Sequence, residues 1–292
     1  MYYYIINPAA GGGRINKIQE KLKERLSELG IAGEFEKSTG PADIPKLTKI
    51  AISKGFKTIV AVGGDGTINE VINSLDNKEG VALGIIPTGN TNELANLLGI
   101  HDWQSACAIL AARKIEKVDL GKIDGNVFVT SASIGFDNVV YDLKRYQKSS
   151  PFSRGLYLAS LTKAARNYKP FQIELEFDHK YSVNTECFNL SVSNGLLLDY
   201  LPAASKPQDN ILDAILINKL SFRDMLLYGQ KKINFNDRNS SRISVFHTQK
   251  VTIKTKNPVP VSADGQVVTQ TPVTISISDK KLRVIVSRKR HF

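Results

Sequence analysis

The sequence predicts an α/β domain with a parallel sheet, followed by an all-β domain, an antiparallel β-sandwich with one helical insertion. Two observations carry this. Up to about residue 113, short apolar runs alternate with stretches whose apolar residues recur at helical spacing, the signature of strands and helices in turn. Further on the period becomes two: Phe171, Ile173, Leu175 and Phe177 alternate with Gln172, Glu174, Glu176 and Asp178, and Val273, Ile275 and Ile277 alternate with Thr274, Ser276 and Ser278, the mark of half-buried antiparallel strands. The expected domains are 1–123, binding nucleotide, and 124–292, holding substrate, with a hinge near Lys122–Gly125 and the insertion at about 138–167.

Tyr3 to Ile6 reads as a strand ending in a glycine-rich corner, Asn7-Pro8-Ala9-Ala10-Gly11-Gly12-Gly13-Arg14. The helix after it carries Ile15, Ile18, Leu22, Leu26 and Leu29 on one face and stops at Gly30, a good left-handed cap. Gly33 to Lys37 is a second strand, and Thr39 sits at its carboxyl end before a helix with Ile44, Leu47, Ile50 and Ala51. Thr58 to Val62 is a third, running into GGDGTINE, Gly63 to Glu70, and a helix with Ile68, Val71, Ile72 and Leu75. Val81 to Ile86 is a fourth, leading through Pro87-Thr88-Gly89-Asn90-Thr91-Asn92-Glu93 into a helix with Leu94, Leu97 and Leu98.

Ligands of such sheets bind at the carboxyl ends of the strands, where these four loops collect. Gly63, Gly64 and Gly66 permit close backbone approach, and the amides and dipole at a helix start favour phosphate. Asn7 and its loop amides suit the same ligand, with Arg14 as counter-charge, although an ordinary strand-to-helix turn also explains that corner. An acid at Asp65 makes sense where a divalent cation or a hydroxyl lies between it and phosphate; a surface carboxylate is the plain alternative. The dinucleotide and P-loop fingerprints are both absent.

A further helix is expected near Asp102 to Arg113, then strands at Ile115–Leu120, Val127–Ser131, Phe188–Ser193, Ile211–Ile217, Ile243–Phe246, Val251–Lys254 and Leu282–Val286, with Ser221 capping a short helix from Phe222. The insertion carries the densest basic cluster, Lys144, Arg145, Lys148, Arg154, Lys163, Arg166 and Lys169, beside Tyr141, Tyr146, Phe152, Leu156, Tyr157 and Leu158. Such a segment suits an anionic membrane surface or a lipid cleft, and equally a packed core.

The 292 residues hold 39 basic against 28 acidic side chains, a net charge of +11, which favours polyanionic partners. No recognised nucleic-acid motif accompanies it, so nucleic acid is not expected. No apolar run is long enough to span a bilayer, and the start MYYYIINPAAGGG lacks signal-peptide character, so a cytoplasmic protein is expected. Cys107 and Cys187 read as buried thiols, and the four histidines form no ligand pattern. A homodimer is allowed, but no pattern specifies it.

The NP-x-x-G opening, the GGDGTINE corner, the P-x-G-x-x-N segment and a later Asp264-Gly265 pair resemble the bacterial diacylglycerol kinase catalytic-domain family of soluble lipid kinases, related to sphingosine and ceramide kinases. The resemblance implies a cleft between an ATP-binding α/β domain and a lipid-holding β-sandwich. There Mg2+ assists transfer of the γ-phosphoryl group to the hydroxyl of a diacylglycerol-like lipid, by a protein that is peripheral to an anionic membrane surface during turnover. Carried over by residue, the nucleotide contacts fall on Asn7, Pro8, Ala9, Ala10 and Gly11, on Thr39, on Gly64, Asp65, Gly66, Thr67, Ile68, Asn69 and Glu70, and on Asn90, where the family usually has Thr. Asp65 matches the acid that organises magnesium, and Asp119 resembles a second acid of that network. A structural Mg2+ site would take the Asp209 carboxylate with carbonyls of Lys206 and Ile211; Asn210 replaces the usual Gly and tolerates the left-handed turn.

The catalytic assignment is Asp65, Asp264 and Gln266. Gln266 stands where the family usually has the glutamate that accepts the lipid hydroxyl proton, and a neutral amide cannot act as that base. Either Asp264 or Asp65 takes the proton, or the protein binds nucleotide or lipid without turnover. NAD kinase, which shares a GGDG corner and an all-β second domain, is the third reading.

Overall fold

A computed structural model describes residues 1–40, 42–75, 80–145, 153–195, 206–233, 235 and 242–290. Tyr146, Lys148, Phe152 and Arg238, named or counted among the aromatic and basic residues of the sequence, lie outside the described residues, as do the side chains of Arg145 and Arg154. The chain forms two compact units, Met1–Leu120 with Asp279–Phe292, and Gly121–Ser278.

The first unit alternates strands and helices: β1 (Tyr2–Ile6), α1 (Arg14–Glu28), β2 (Gly33–Lys37), α2 (Asp43–Ser53), β3 (Thr58–Gly63), α3 (Asp65–Ser74), β4 (Ala82–Pro87), α4 (Glu93–Leu97) and α5 (Trp103–Ala112). Its strands lie parallel in the order β2-β1-β3-β4. Every residue of β1, β3 and β4 is buried, as expected of parallel strands covered on both faces. β5 (Ile115–Ile123) leads out of this unit.

The second unit holds β6 (Asn126–Phe128), β7 (Ser131–Gly135), α6 (Phe136–Arg145), α7 (Ser153–Asn167), β8 (Phe171–Phe177), β9 (Tyr181–Cys187), β10 (Asn189–Ser193), β11 (Leu212–Ile217), α8 (Phe222–Gly229), β12 (Ile243–Thr248), β13 (Lys250–Thr255), β14 (Pro260–Ala263) and β15 (Gln266–Gln270), with the first part of β16 (Val273–Ile285). One antiparallel sheet runs β12-β11-β10-β7-β14-β15; the other runs β16-β13-β8-β9. Between them lies a core including Ile134, Leu175, Phe177, Leu190, Val192, Val251 and Ile275. Ile215 and Ile217 face the other way, into a second core built with Phe136, Tyr157, Leu161 and Tyr228 of α6, α7 and α8. Among the described residues no helix is long and apolar enough to cross a membrane.

Four strands escape the sequence: β7 and β14 are short and buried, β9 and β15 are polar, and the run expected at Val127–Ser131 breaks at Val129 and Thr130, between β6 and β7. β9 is half exposed and β15 contains no apolar residue but Val267 and Val268. The two runs expected at Val273–Ile277 and Leu282–Val286 form a single strand, because Asp279, Lys280 and Lys281 continue it on a solvated stretch. That continuity also assigns the last residues to the first unit, where Val284 pairs in parallel with Leu83. The sequence alone assigns them to the second.

Candidate functional site

In the first unit the site is built from glycines and two asparagines. Asn7, at the end of β1, donates from Nδ2 to Thr67 Oγ1 at 2.9 Å and accepts the Ala9 N–H at its Oδ1 at 3.0 Å. One side chain therefore ties the first corner to the GGDGTINE corner and shapes the loop that follows. Gly11 has φ +57°, and a Cβ there would lie 2.0 Å from the Thr88 carbonyl oxygen. Only glycine fits. A Cβ on Gly89 would come within 2.4 Å of Gly64 Cα, and Arg14 Nη1 donates to the Gly89 carbonyl at 2.8 Å. The loops after β1, β3 and β4 thus abut backbone to backbone.

Helix starts divide into two kinds. α5 is capped by Asp102, which accepts the Ser105 N–H at 2.7 Å, and α8 by Ser221. α1 and α3 begin on Gly13 and Gly64 without any side-chain cap, which leaves first-turn amides for an external anion. Of the residues expected to touch nucleotide, Pro8, Ala9 and Ala10 form the turn between Asn7 and Gly11, and Gly64, Gly66 and Thr67 form the start of α3. Ile68 puts its side chain in the core and its N–H on the Gly64 carbonyl. Asn69 Oδ1 accepts from Asn73 Nδ2 at 3.2 Å, and burial pushes the half-buried Glu70 carboxyl above its ordinary range.

Asp65 lies against the beginning of α4. Its Oδ1 accepts the Leu94 N–H at 3.4 Å, and the Glu93 and Asn92 amides also bond to it. Burial, together with the neighbouring negative charge of Glu93, nevertheless holds its carboxyl above the usual aspartate range. Glu93 is the acid that the sequence reading missed. The legible signal was its place directly after the asparagine loop, in the first turn of a helix facing the GGDG corner. Asn92 was missed too: with φ +50° it brackets Gly89, accepting its N–H and donating to its carbonyl, both at 3.0 Å. Asn90 is exposed beside it.

Thr39 stands somewhat apart. Its N–H and hydroxyl both donate to Asp43 Oδ2, at 2.9 and 2.5 Å, and Gly40 N–H joins them at 3.1 Å; its nearest tie to β1 is the Ser38 N–H on the Ile6 carbonyl. Asp119 is buried and paired with Lys281 at 2.7 Å.

In the second unit, Asp264 and Gly265 make the β14–β15 hairpin turn, with φ +46° and +76°, the two left-handed residues of a type I′ turn. The Asp264 carboxylate accepts the Val129 N–H at 3.0 Å, the Thr130 N–H at 2.9 Å, the Thr130 hydroxyl at 2.6 Å and the Ser131 N–H at 3.4 Å. The carboxylate expected to take a substrate proton thus also fixes the segment before β7. Gln266 is exposed at the start of β15. Around Asp209 the expected turn forms, with Asn210 at φ +59°. The Asp209 carboxylate, however, accepts the N–H groups of Lys206, at 2.8 Å, and Ile211, at 3.0 Å, and the Lys206 carbonyl takes the Gln208 and Asp209 amides. The Asp209 carboxylate thus pins this turn through the amides of Lys206 and Ile211.

Among the described residues no three His, Cys, Asp or Glu side chains gather as a metal cage. Mg2+ keeps waters and takes phosphate oxygens, so one or two protein carboxylates suffice. Asp65 and Glu93 fit that need, and the uncapped amides fit phosphate.

Comparison with known proteins agrees with this fold. Residues 1–123 match the diacylglycerol kinase catalytic domain, and residues 130–286 match the YegS C-terminal NAD kinase beta sandwich-like domain. The chain is similar to a diacylglycerol kinase of Bacillus subtilis, 25% identical over 270 residues covering 90% of this chain and 88% of the relative. It is also similar to one of Staphylococcus saprophyticus, 25% identical over 228 residues covering 76% and 74%. Its fold is similar to the crystal structure of a diacylglycerol kinase from Bacillus anthracis, with a TM-score of 0.77, 21% identity and 99% and 97% of the two chains covered. An NAD kinase from Archaeoglobus fulgidus in complex with ATP shares the fold at a TM-score of 0.57 and 17% identity, over 99% and 95% of the chains. The chain belongs to the family in which a diacylglycerol kinase catalytic domain is followed by a YegS C-terminal NAD kinase beta sandwich-like domain.

Proposed function

We propose that this protein is a lipid kinase working from the cytoplasm, transferring the γ-phosphoryl group of ATP, with Mg2+, to the hydroxyl of a diacylglycerol-like lipid. One observation carries the reading: three loops meet without side chains between them, at the starts of two uncapped helices. Backbone amides of Gly11 and of Gly64 to Thr67 are the groups that would hold phosphate oxygens, with Arg14 adding positive charge. Mg2+, when bound, neutralises charge on the transferred phosphoryl group. Asp65 and Glu93 are the carboxylates that would hold it.

In the transfer the lipid hydroxyl oxygen forms a bond to the γ-phosphorus, and the bond to the β–γ bridging oxygen breaks. ADP leaves with that electron pair, and the hydroxyl proton passes to a base. Asp264 is occupied by four donors. Asp65, bonded by the amides of Asn92, Glu93 and Leu94, is the other carboxylate that would take it.

A second reading, binding without turnover, draws its support from the neutral Gln266. The fold shared with an NAD kinase supports a third. Incubation with ATP and Mg2+, and either diacylglycerol micelles or NAD as acceptor, separates them: label in the lipid is the expected result, and label only in NAD, or in neither, would count against the proposal.

A further inference from the structure

β9 ends its sheet: among the described residues it pairs with β8 alone. An open strand edge carries unpaired amides and carbonyls, and proteins usually blunt it with a bulge, a proline or charge. Two other edges of this fold are blunted. The β14–β15 pair shifts register between Val261 and Ser262, and β2 carries Glu34, Glu36 and Lys37 within its five residues. β9 runs for seven residues with no proline and a single charge, Glu186, in unbroken register with β8. The Glu186 carbonyl faces away from β8, taking Asn218 Nδ2 at 3.0 Å. Alternate residues of an antiparallel strand turn their backbone groups to the same side, so Ser182 and Asn184 turn theirs outward as well. Both residues are exposed.

We infer that β9 pairs antiparallel with β9 of a second copy of this chain, about a twofold axis at Val183. Ser182 then lies opposite the partner's Asn184, and the two exchange backbone N–H···O=C bonds, as do Asn184 and the partner's Ser182. Lys180, which closes the β8–β9 turn with its N–H on the Phe177 carbonyl, lies opposite the partner's Glu186. The symmetry repeats that pair. Both side chains are exposed, and neither forms an ion pair among the described residues. Tyr181, Val183 and Thr185 stand opposite Phe177, Leu175 and Ile173 of β8, which face the sandwich core. On that side Tyr181, 47% exposed, gains the partner's Thr185, and Val183 meets its own copy. Opposite charges across a strand pair stabilise it and like charges oppose it, so the charges also fix the register. A slide of the axis by one residue sets Glu186 opposite Asp178 in one direction and opposite Ser182 in the other. This self-complementarity is what selects a second copy as the occupant. The inference goes beyond the kinase proposal and stands without it, because the pairing requires neither nucleotide nor lipid.

Sedimentation velocity over a concentration series, without nucleotide or lipid, tests it. Wild type is expected to pass from monomer to dimer as concentration rises. Lys180→Glu sets like charges opposite each other twice and should weaken the dimer at least about fivefold, and Lys180→Glu/Glu186→Lys should restore it. Asn184→Pro deletes an outward N–H while leaving the ladder to β8 in place, and should weaken the dimer at least about tenfold. Lys49→Glu, exposed on α2, makes the same change in net charge as Lys180→Glu and should dimerise as wild type does. Circular dichroism checks that each variant is folded, and the charge exchange decides the matter even where the proline variant does not fold. A wild type that stays monomeric, equal weakening by Lys49→Glu, or a dimer indifferent to Lys180→Glu or not recovered by the exchanged pair would overturn the inference.

Discussion

The Oδ1 of Asp65 accepts the backbone N–H of Leu94 at 3.4 Å, which sets the acid of the GGDGTINE corner beside Glu93 at the start of α4. The unfolded carboxyl titrates in the ordinary aspartate range and the folded one above it. The folded protein therefore holds this proton more tightly, and the linked stability is full at low pH and lost as pH rises through the folded pKa. Asp65→Asn removes the penalty. The variant is expected to melt higher than wild type at neutral pH, with the gap closing as pH falls towards about 3, in melting curves recorded across pH.

Asn7→Ala removes the contact with Thr67 and the Ala9 pin together. Each hydrogen bond of this kind is worth about 1 kcal/mol, so ATP affinity should fall roughly five- to thirtyfold. Calorimetric titration measures it. Thr67→Val should cost less, and the double variant less than the sum, because the two share one bond.

Gly89→Ala places a methyl group against the Gly64 backbone, which has no flexible side chain to yield. ATP binding should drop by more than about tenfold as the two loops part, a loss of at least ~1.4 kcal/mol, visible in the same titration.

Much of this was legible. The parallel sheet follows from the helical spacing of Leu22 and Leu26 and the apolar run of β3, because buried parallel strands leave strong patterns. The four loops could be read as glycine-rich strand ends for the same reason. Other parts were not legible. Asp264 carries the same residue type whether it serves a substrate or the amides of Val129 and Ser131, and only the fold brings residues 135 positions apart together. β15 was hidden because Gln266 to Gln270 lies half in solvent; the Asp-Gly pair before it was the hairpin signal. Glu93 gained meaning only once α4 turned its first residues towards Asp65.

Asp264→Ala leaves four donors around one lost carboxylate. It should lower stability by about 2–4 kcal/mol, read by urea denaturation. Gln266→Glu, on an exposed strand end, should leave stability unchanged and raise phosphotransfer by about 10²- to 10⁴-fold if proton removal limits the rate.

The central claim is that the GGDGTINE corner supports transfer of phosphate from ATP to a lipid. A lipid-panel assay with labelled ATP and Mg2+, run on wild type beside Asp65→Asn, addresses it most directly. The expected result is label in a glycerol-based lipid with wild type and a loss of at least about 100-fold in Asp65→Asn. Equal labelling by both proteins, or no labelled lipid with wild type and with Gln266→Glu alike, would contradict it.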